Sequence, residues 1–229
     1  MQICKKILQK YAYGIIPLLT TFLLNDVVYW GAMALCRNWH HYDFTTELDR
    51  MIPFVPEFVS VYFLCYLFWI VNYILAAGNG KEFFYRFLTA DMSARCICFL
   101  FFVLLPTTNV RPTTDGNGIW ICLMEWLYRM DEPVNLFPSI HCMNSWFCYI
   151  AVRGRKDVSK WYQHFSFWAA IAVAASTVFT KQHYLLDIAG GFLLAELVWQ
   201  LNRKCNYYKN VRKVFEKING NLSKKLVKL

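Results

Sequence analysis

Charged residues are scarce in this chain. They make up 17% of its 229 residues, while apolar residues make up 57%, and a soluble domain carries roughly 25% charged residues. The chain therefore has too little polar surface to be an ordinary soluble domain of this length. Its apolar residues also lie in long blocks separated by short polar segments, which is the pattern of a helical bundle in lipid.

Patterns that hold metals or disulfides are also missing. The nine cysteines include no Cys-x-x-Cys pair, and their number is odd. Most of them lie in apolar stretches, where a free thiol behaves as a small hydrophobic side chain. The sequence shows no cluster of carboxylates of the kind that holds Mg²⁺. We therefore expect no disulfide framework, no metal and no cofactor.

The apolar stretches predict an all-α fold with six membrane-spanning helices, because about 20 apolar residues are needed to cross the hydrocarbon. The predicted helices cover residues 11–36, 56–77, 92–105, 140–152, 162–180 and 184–201. The third stretch is short unless it begins in the preceding amphipathic segment, and the fourth is shorter still. Both could tolerate this length if they are buried against neighbouring helices. We predict one domain over residues 1–229, with a retained first helix and a basic tail over residues 203–229.

Lysine and arginine are concentrated on one side of this topology. The N-terminus, the links between helices two and three and between helices four and five, and the tail all lie on that side. The positive-inside rule makes this side cytoplasmic, so both termini are predicted to be cytoplasmic. We expect a multi-pass protein of the plasma membrane. Its net charge of +9 favours the anionic headgroups of the lipid bilayer as partners rather than nucleic acid.

Three polar clusters fall on the opposite, non-cytoplasmic side, where polar residues in a membrane bundle are informative because they are costly. The first ends the third helix, and its Arg111 offers a fork of donors suited to phosphate oxygens. The second is Phe137–His141, in which Ser139 is the predicted N-cap of the fourth helix and His141 lies in its first turn. Helix N-termini bind anions. Read alone, Arg111 could simply end a helix, and His141 could be an interfacial histidine.

The third cluster covers residues 176–187. If the sixth helix begins near His183, Asp187 lies one turn further on the same face. The carboxylate can then accept a hydrogen bond from one ring nitrogen and leave the other as an aligned nucleophile. The alternative is an ion pair of Asp187 with Lys181 or His183 that only locks the bundle.

Together the clusters predict a centre for phosphoryl transfer, which needs positioning and charge stabilisation above all. Arg111 and Lys181 would supply positive charge, and Ser139 with the amides of the fourth helix would supply donors. The two histidines would supply a nucleophile and a proton donor. Gly190 and Gly191, further along the sixth helix, are expected to allow close helix packing.

The three clusters resemble the motifs of the type 2 phosphatidate phosphatase superfamily, which includes lipid phosphate phosphatases and lipid phosphotransferases. The family motifs are Lys-x6-Arg-Pro, Pro-Ser-Gly-His and Ser-Arg-x5-His-x3-Asp. This chain has Leu104-x6-Arg111-Pro112, Pro138-Ser139-Ile140-His141 and Ser176-Thr177-x5-His183-x3-Asp187. Order, internal spacing and the six-helix layout agree. The replacements at Leu104, Ile140 and Thr177 make the chain similar to the branch related to inositol phosphorylceramide and sphingomyelin synthases.

The resemblance implies roles for the conserved positions of these motifs. His183 would be the nucleophile that forms a phosphohistidine, and Asp187 would orient it. His141 would protonate the leaving oxygen and then help to activate the acceptor. The expected phosphate-binding residues are Arg111, Ser139, Lys181 and Ser176.

The leading hypothesis is hydrolysis of a membrane lipid phosphate or diphosphate, such as phosphatidate or a polyprenyl diphosphate, at the outer-leaflet side. One alternative is a phosphotransferase in which a lipid or sugar hydroxyl replaces water, and another is a transporter or scaffold without catalysis. Transporters tend to place their polar site near the bilayer midplane, whereas the suspect residues here gather at one end of helices three to six. For Asn25 and Asp26, within the first helix, we expect an interhelical contact rather than a proton path.

Overall fold

A computed structural model describes residues 2–226, and side-chain surroundings for residues 11–221. This part of the chain is helical apart from turns, loops and two short strands. The helices are α1 Gln2–Cys36, α2 Glu47–Met51, α3 Val59–Ala77, α4 Lys81–Leu104, α5 Ile119–Met130, α6 Ile140–Val152, α7 Lys160–Phe179, α8 Leu185–Lys204 and α9 Tyr208–Leu226. A 3₁₀ turn, Pro56–Phe58, leads into α3, and strand β1 Tyr42–Asp43 pairs in parallel with β2 Thr107–Thr108.

Four segments among the described residues are long and apolar enough to cross a membrane. They are Tyr11–Cys36, Pro56–Ala77, Lys81–Leu104 and Leu185–Lys204, which correspond to the predicted first, second, third and sixth spans. The predicted fourth and fifth spans, residues 140–152 and 162–180, are helical but are not among these candidates. The 13 residues of α6 reach only about 20 Å at 1.5 Å per residue. Most of them are buried, since α6 packs against α3, α7 and α8.

The third predicted helix begins at Lys81 rather than at residue 92. The amphipathic segment before residue 92 is therefore helical, as the short apolar stretch required. Asp91, the last residue of that segment, does not interrupt the helix because its carboxylate pairs inside the bundle. The guanidinium Nε of Arg95 lies 3.1 Å from Asp91 Oδ2, and both side chains are almost completely buried.

Arg95 also accounts for the polar residue Asn25 within the first helix. Its guanidinium donates to Asn25 Oδ1 and, at 2.9 Å, to Asn144 Oδ1. These bonds join α1, α4 and α6 in the middle of the bundle, so the predicted interhelical contact of Asn25 is confirmed. Asp26 instead lines a cavity described below.

The basic tail predicted over residues 203–229 contains a helix that the sequence reading did not predict. This helix, α9, is amphipathic, and Phe215 on its inner face is buried against the bundle. Lys81 Nζ lies 3.2 Å from Glu216 Oε1, which ties α9 to the start of α4. The helix α9 therefore packs on the end of the bundle opposite to the polar clusters.

Two further helices that the sequence reading missed, α2 and α5, cover the end of the bundle that carries the polar clusters. Thr46 caps α2 in a capping box with Asp49, whose carboxylate accepts from the Thr46 N–H at 2.9 Å. From α5, the Tyr128 hydroxyl donates to the carbonyl of Thr180 at 2.8 Å. The other carboxylate oxygen of Asp49 accepts from the Leu185 N–H at 2.8 Å, so both α2 and α5 lie beside the loop between α7 and α8.

Candidate active site

The first turn of α8 holds His183 against Asp187. His183 Nδ1 lies 3.1 Å from Asp187 Oδ2, and the Tyr184 N–H donates to the same oxygen at 3.0 Å. Because an ionised carboxylate only accepts, this contact assigns the ring hydrogen to Nδ1 and leaves the lone pair of Nε2 directed away from Asp187. The predicted one-turn pairing is confirmed, while the role of His183 as nucleophile stays a prediction.

The start of α6 is attached directly to the start of α8. Ser139 Oγ accepts from the N–H of Cys142 at 3.3 Å, as expected of an N-cap, and the Ser139 N–H donates to the Asp187 carbonyl at 3.1 Å. A β-carbon added to Gly191 would stand 2.5 Å from the Ser139 carbonyl oxygen, and one added to Gly190 would crowd Phe137 equally. The predicted N-cap and the predicted close packing at both glycines are therefore confirmed.

His141, in the first turn of α6, faces His183 with 5.8 Å between the ring centroids. Its Nδ1 lies 3.5 Å from the hydroxyl of Tyr62, and that hydroxyl donates to Asp131 Oδ2 at 3.2 Å. The Tyr29 hydroxyl donates to the other oxygen of Asp131. The sequence reading missed these neighbours of His141, because a tyrosine inside an apolar helix carries no signal of its own.

Arg111 approaches the same place from the loop after α4. Its guanidinium donates to the carbonyl of Asp131 and to Oε1 of Gln182, and it lies 4.7 Å from the centroid of the Tyr128 ring. Arg111 Nε is buried and has no partner in the described part of the chain. A cation–π contact and two internal hydrogen bonds therefore fix the guanidinium while one of its donors is left unused. The predicted phosphate contact of Arg111 stays a prediction.

The donors of Lys181 and Ser176 are engaged with the backbone. Lys181 Nζ donates to the carbonyls of Asp49, at 3.0 Å, and Ile52, so at most one N–H of the ammonium is left for another acceptor. Ser176 Oγ is buried and donates to the Val173 carbonyl at 2.7 Å. Binding of phosphate by either residue stays a prediction. Lys181 would use its remaining N–H, whereas Ser176 would have to turn or share its one donor.

Two of the three positions where the family motifs carry a lysine or arginine bring no cation to this site. Leu104 is 78% exposed on the outer surface of the bundle. Thr177 is buried, and its hydroxyl donates to the Ala174 carbonyl at 2.7 Å. The replaced charges are therefore not restored at the same places.

Two cavities meet at His183 and Arg111, which line both of them. The larger one, the aromatic cavity, has a volume of about 360 Å³. It is lined mainly by aromatic and apolar side chains of α1, α3 and α5, and His141 also lines it. Its lining residues Trp30 and Trp126 are 49% and 51% exposed, so it opens to the outside of the bundle between α1 and α5. Tryptophan at such a mouth is typical of the membrane interface.

The second cavity, the polar cavity, has a volume of about 330 Å³ and is lined by α2 and the neighbouring loops, and more than half of its lining residues are charged or polar. Burial alone would raise the pKa of Asp49, but hydrogen bonds from Thr46 and from the Leu185 N–H, with the nearby Lys181 charge, hold that pKa below its usual value. Burial lowers the pKa of Lys181, and Asp49 opposes this shift. Asp49 thus connects α2, the start of α8 and Lys181 on the outer side of His183.

The chain matches the PAP2 superfamily over residues 57–201, which is more than half of its length, and it belongs to that superfamily. PAP2 denotes the type 2 phosphatidate phosphatases, whose members are generally phosphatases or phosphotransferases. The match begins at α3, ends in α8 and contains all three polar clusters. Membership supports enzyme activity on lipid phosphates, and together with the four apolar helices it fits a membrane protein. No curated protein and no solved structure matches the chain.

Proposed function

We propose that the protein hydrolyses a membrane lipid phosphate or diphosphate, of the phosphatidate or polyprenyl diphosphate type, through a phosphohistidine and without a metal. The observation that carries the proposal is the His183–Asp187 pair, placed where an aromatic cavity and a polar cavity meet. The aromatic cavity suits an acyl or prenyl chain that enters from the membrane, and the polar cavity gives water access to the same histidine.

In the first step, His183 Nε2 attacks the phosphorus atom and the bond from phosphorus to the lipid oxygen breaks. His141 gives a proton to the leaving oxygen, and Asp187 stabilises the positive charge on the His183 ring by accepting from its Nδ1–H. In the second step, a water molecule gives a proton to His141 and attacks phosphorus. The P–N bond breaks, phosphate leaves, and both histidines return to their starting state.

Two groups of donors would stabilise the negative charge on the phosphoryl oxygens. Arg111 has an unpartnered buried donor beside His183, and the first turn of α6 presents N–H groups and the positive end of its dipole next to Ser139. Donors fixed before the reaction are effective because they need no reorganisation as charge develops. We propose that this centre faces the non-cytoplasmic side of the plasma membrane, with both termini cytoplasmic.

The second cavity favours a related candidate function, a lipid phosphotransferase. Its side chains, which include Asp43 and Asp49, suit a ligand with hydroxyl groups on the side of His183 away from the aromatic cavity. A lipid or sugar hydroxyl bound there would replace water in the second step. The first step would be unchanged.

Phosphate release from a panel of lipid phosphates, with EDTA present, tests the proposal on detergent-purified protein. We expect release by the wild type, none by His183→Ala, and normal release by His164→Ala, which changes an exposed histidine of α7. Release that persists in His183→Ala would refute the nucleophile, and loss with EDTA would refute the metal-free mechanism. A new phosphodiester that forms only when a hydroxyl acceptor is supplied would identify the transferase instead.

A further inference from the structure

Two buried hydrogen-bond donors beside His183 have no partner within the described residues. They are Arg111 Nε and Gln182 Nε2, and both side chains line the aromatic cavity together with His183. Gln182 is only 2% exposed, so its amide is shielded from bulk solvent. An unpaired buried donor is destabilising, and two of them at one place indicate a site that an acceptor is meant to fill.

The orientation of the Gln182 amide follows from its neighbour. The Arg111 guanidinium has only donors, so the atom that faces it must be the amide oxygen, and the Arg111–Gln182 contact is made to Oε1. The NH₂ group must then point away from the guanidinium. The backbone N–H groups of Gln182 and His183 both donate to the Thr177 carbonyl, at 2.8 and 3.1 Å, which holds the two side chains beside each other.

The surroundings give this neutral donor a particular importance. Leu104 and Thr177 bring no cation to the site, and the ammonium of Lys181 is held by the carbonyls of Asp49 and Ile52. Among the described residues that line the aromatic cavity, Arg111 is the one lysine or arginine. An anion at His183 would therefore depend on donors other than the missing cations.

We propose that Gln182 binds the phosphoryl group directly: its Nε2–H donates to a phosphoryl oxygen, while its Oε1 holds Arg111 in place. The inference rests on the proposed function and deepens it, because it names a phosphate-binding residue at a position that the third motif leaves unspecified, directly before His183. A hydrogen bond to a charged group is stronger than one between neutral groups, so an amide here replaces part of what a cation would supply.

Two reciprocal substitutions separate this role from a purely structural one. Gln182→Glu keeps an acceptor for Arg111 but removes the donor, whereas Gln182→Lys keeps a donor but removes the acceptor. The measurement is the affinity of the purified protein for inorganic phosphate and orthovanadate, by calorimetry and by competitive inhibition. Gln200→Lys adds the same charge away from the site, where Gln200 Nε2 now donates to Glu196 Oε1 at 2.7 Å. Thermal unfolding checks that each variant is folded.

We expect Gln182→Glu to lose roughly ten- to a hundredfold in affinity, the range for a hydrogen bond to a charged group. Gln182→Lys should bind the anions at least as tightly as the wild type, and Gln200→Lys should leave the affinity unchanged. If Gln182→Glu kept the wild-type affinity and Gln182→Lys lost it, Gln182 would only position Arg111. That result would overturn the proposal.

Loss of affinity in both folded variants would also overturn it, because a donor at this position would then not suffice. If Gln182→Lys does not fold, the test is the affinity of Gln182→Glu compared with that of the wild type. Wild-type affinity in Gln182→Glu would refute a direct donor at residue 182. Wild-type protein that binds neither anion would instead refute the phosphate site and, with it, the proposed function.

Discussion

Gly191 of α8 lies so close to the carbonyl of Ser139 that an added β-carbon would stand 2.5 Å from that oxygen. The contact sets the distance between the two helix starts that carry the candidate catalytic groups. His141 follows Ser139 by two residues, while Asp187 precedes Gly191 by one turn of α8. The separation of the two histidines therefore depends on a residue that has no side chain.

Gly191→Ala should destabilise the protein by about 1–3 kcal/mol, the usual effect of overpacking. It should also lower the rate of phosphate release, because the first turn of α6 must move. Thermal unfolding and turnover in detergent measure both effects. Gly31→Ala is the matched control, since an added β-carbon there meets no atom within 4 Å. Equal stability and turnover of the two variants would contradict the proposed tight contact.

Tyr62→Phe should slow turnover by roughly three- to tenfold, the effect of one neutral hydrogen bond. The Tyr62 hydroxyl lies between His141 Nδ1 and Asp131, so its loss frees the His141 ring to rotate. The maximal rate should fall with little change in KM, because no contact to the lipid chain is removed. Tyr66→Phe changes a tyrosine that lines the same cavity and should have a smaller effect on the rate. A rise in KM alone would show that Tyr62 acts in substrate binding.

Asp91→Asn should destabilise the bundle by about 3–5 kcal/mol, because it leaves the guanidinium of Arg95 buried without its counter-charge. The double variant Asp91→Asn/Arg95→Met should recover part of this loss. Glu125→Gln breaks a pair of the same helical spacing on the exposed face of α5, where the expected effect is about 0–1 kcal/mol. Thermal unfolding in detergent compares the three variants. If Asp91→Asn left the unfolding temperature unchanged, the buried pair would not stabilise the contacts of Arg95 with α1 and α6.

The stability conferred by Asp49 should depend on pH in a defined direction. Its pKa lies below the ordinary value of 3.8 in the folded protein, so the ionised form stabilises the fold above about pH 5, where it is charged in both states. This contribution is lost as the pH falls through the folded-state pKa. Asp49→Asn should lower stability by about 1 kcal/mol at neutral pH, the typical net value of one hydrogen bond. The difference between the unfolding temperatures of the two proteins should shrink as the pH falls below about 4. A difference that does not change with pH would contradict the assignment.

Much of the fold could be predicted because its signals are local. Apolar stretches of sufficient length predicted the first, second and sixth spans, a shorter stretch predicted the third, and the serine before α6 predicted its N-cap. The start of α4 was placed too late, because Asp91 appears to interrupt the apolar stretch until its buried pairing with Arg95 is known. The amphipathic helices α5 and α9 contain no long apolar stretch, so this signal did not predict them.

The candidate site also combines features that local sequence spacing predicts with features that only tertiary packing sets. The pairing of His183 with Asp187 follows from one turn of helix, so sequence spacing alone predicted it. Tyr62 and Asp131 gave no signal, because their positions relative to the histidines depend on how separate helices pack. Gln182 lies next to His183 in the chain, but its contact with Arg111 depends on the tertiary structure. The direction of Lys181 could not be predicted either, since its acceptors are carbonyls of the distant α2 segment.

By itself the sequence determined the helical, membrane-embedded character of the chain, the three polar clusters and the spacing within each one. These properties depend on hydrophobicity and on helix geometry over a few residues. Only the tertiary structure decided which clusters meet, that two cavities share His183 and Arg111, and that the donor beside them is a neutral amide. Contacts between residues far apart in the chain set these features, because helices pack through the shapes and polar groups of all their neighbours at once.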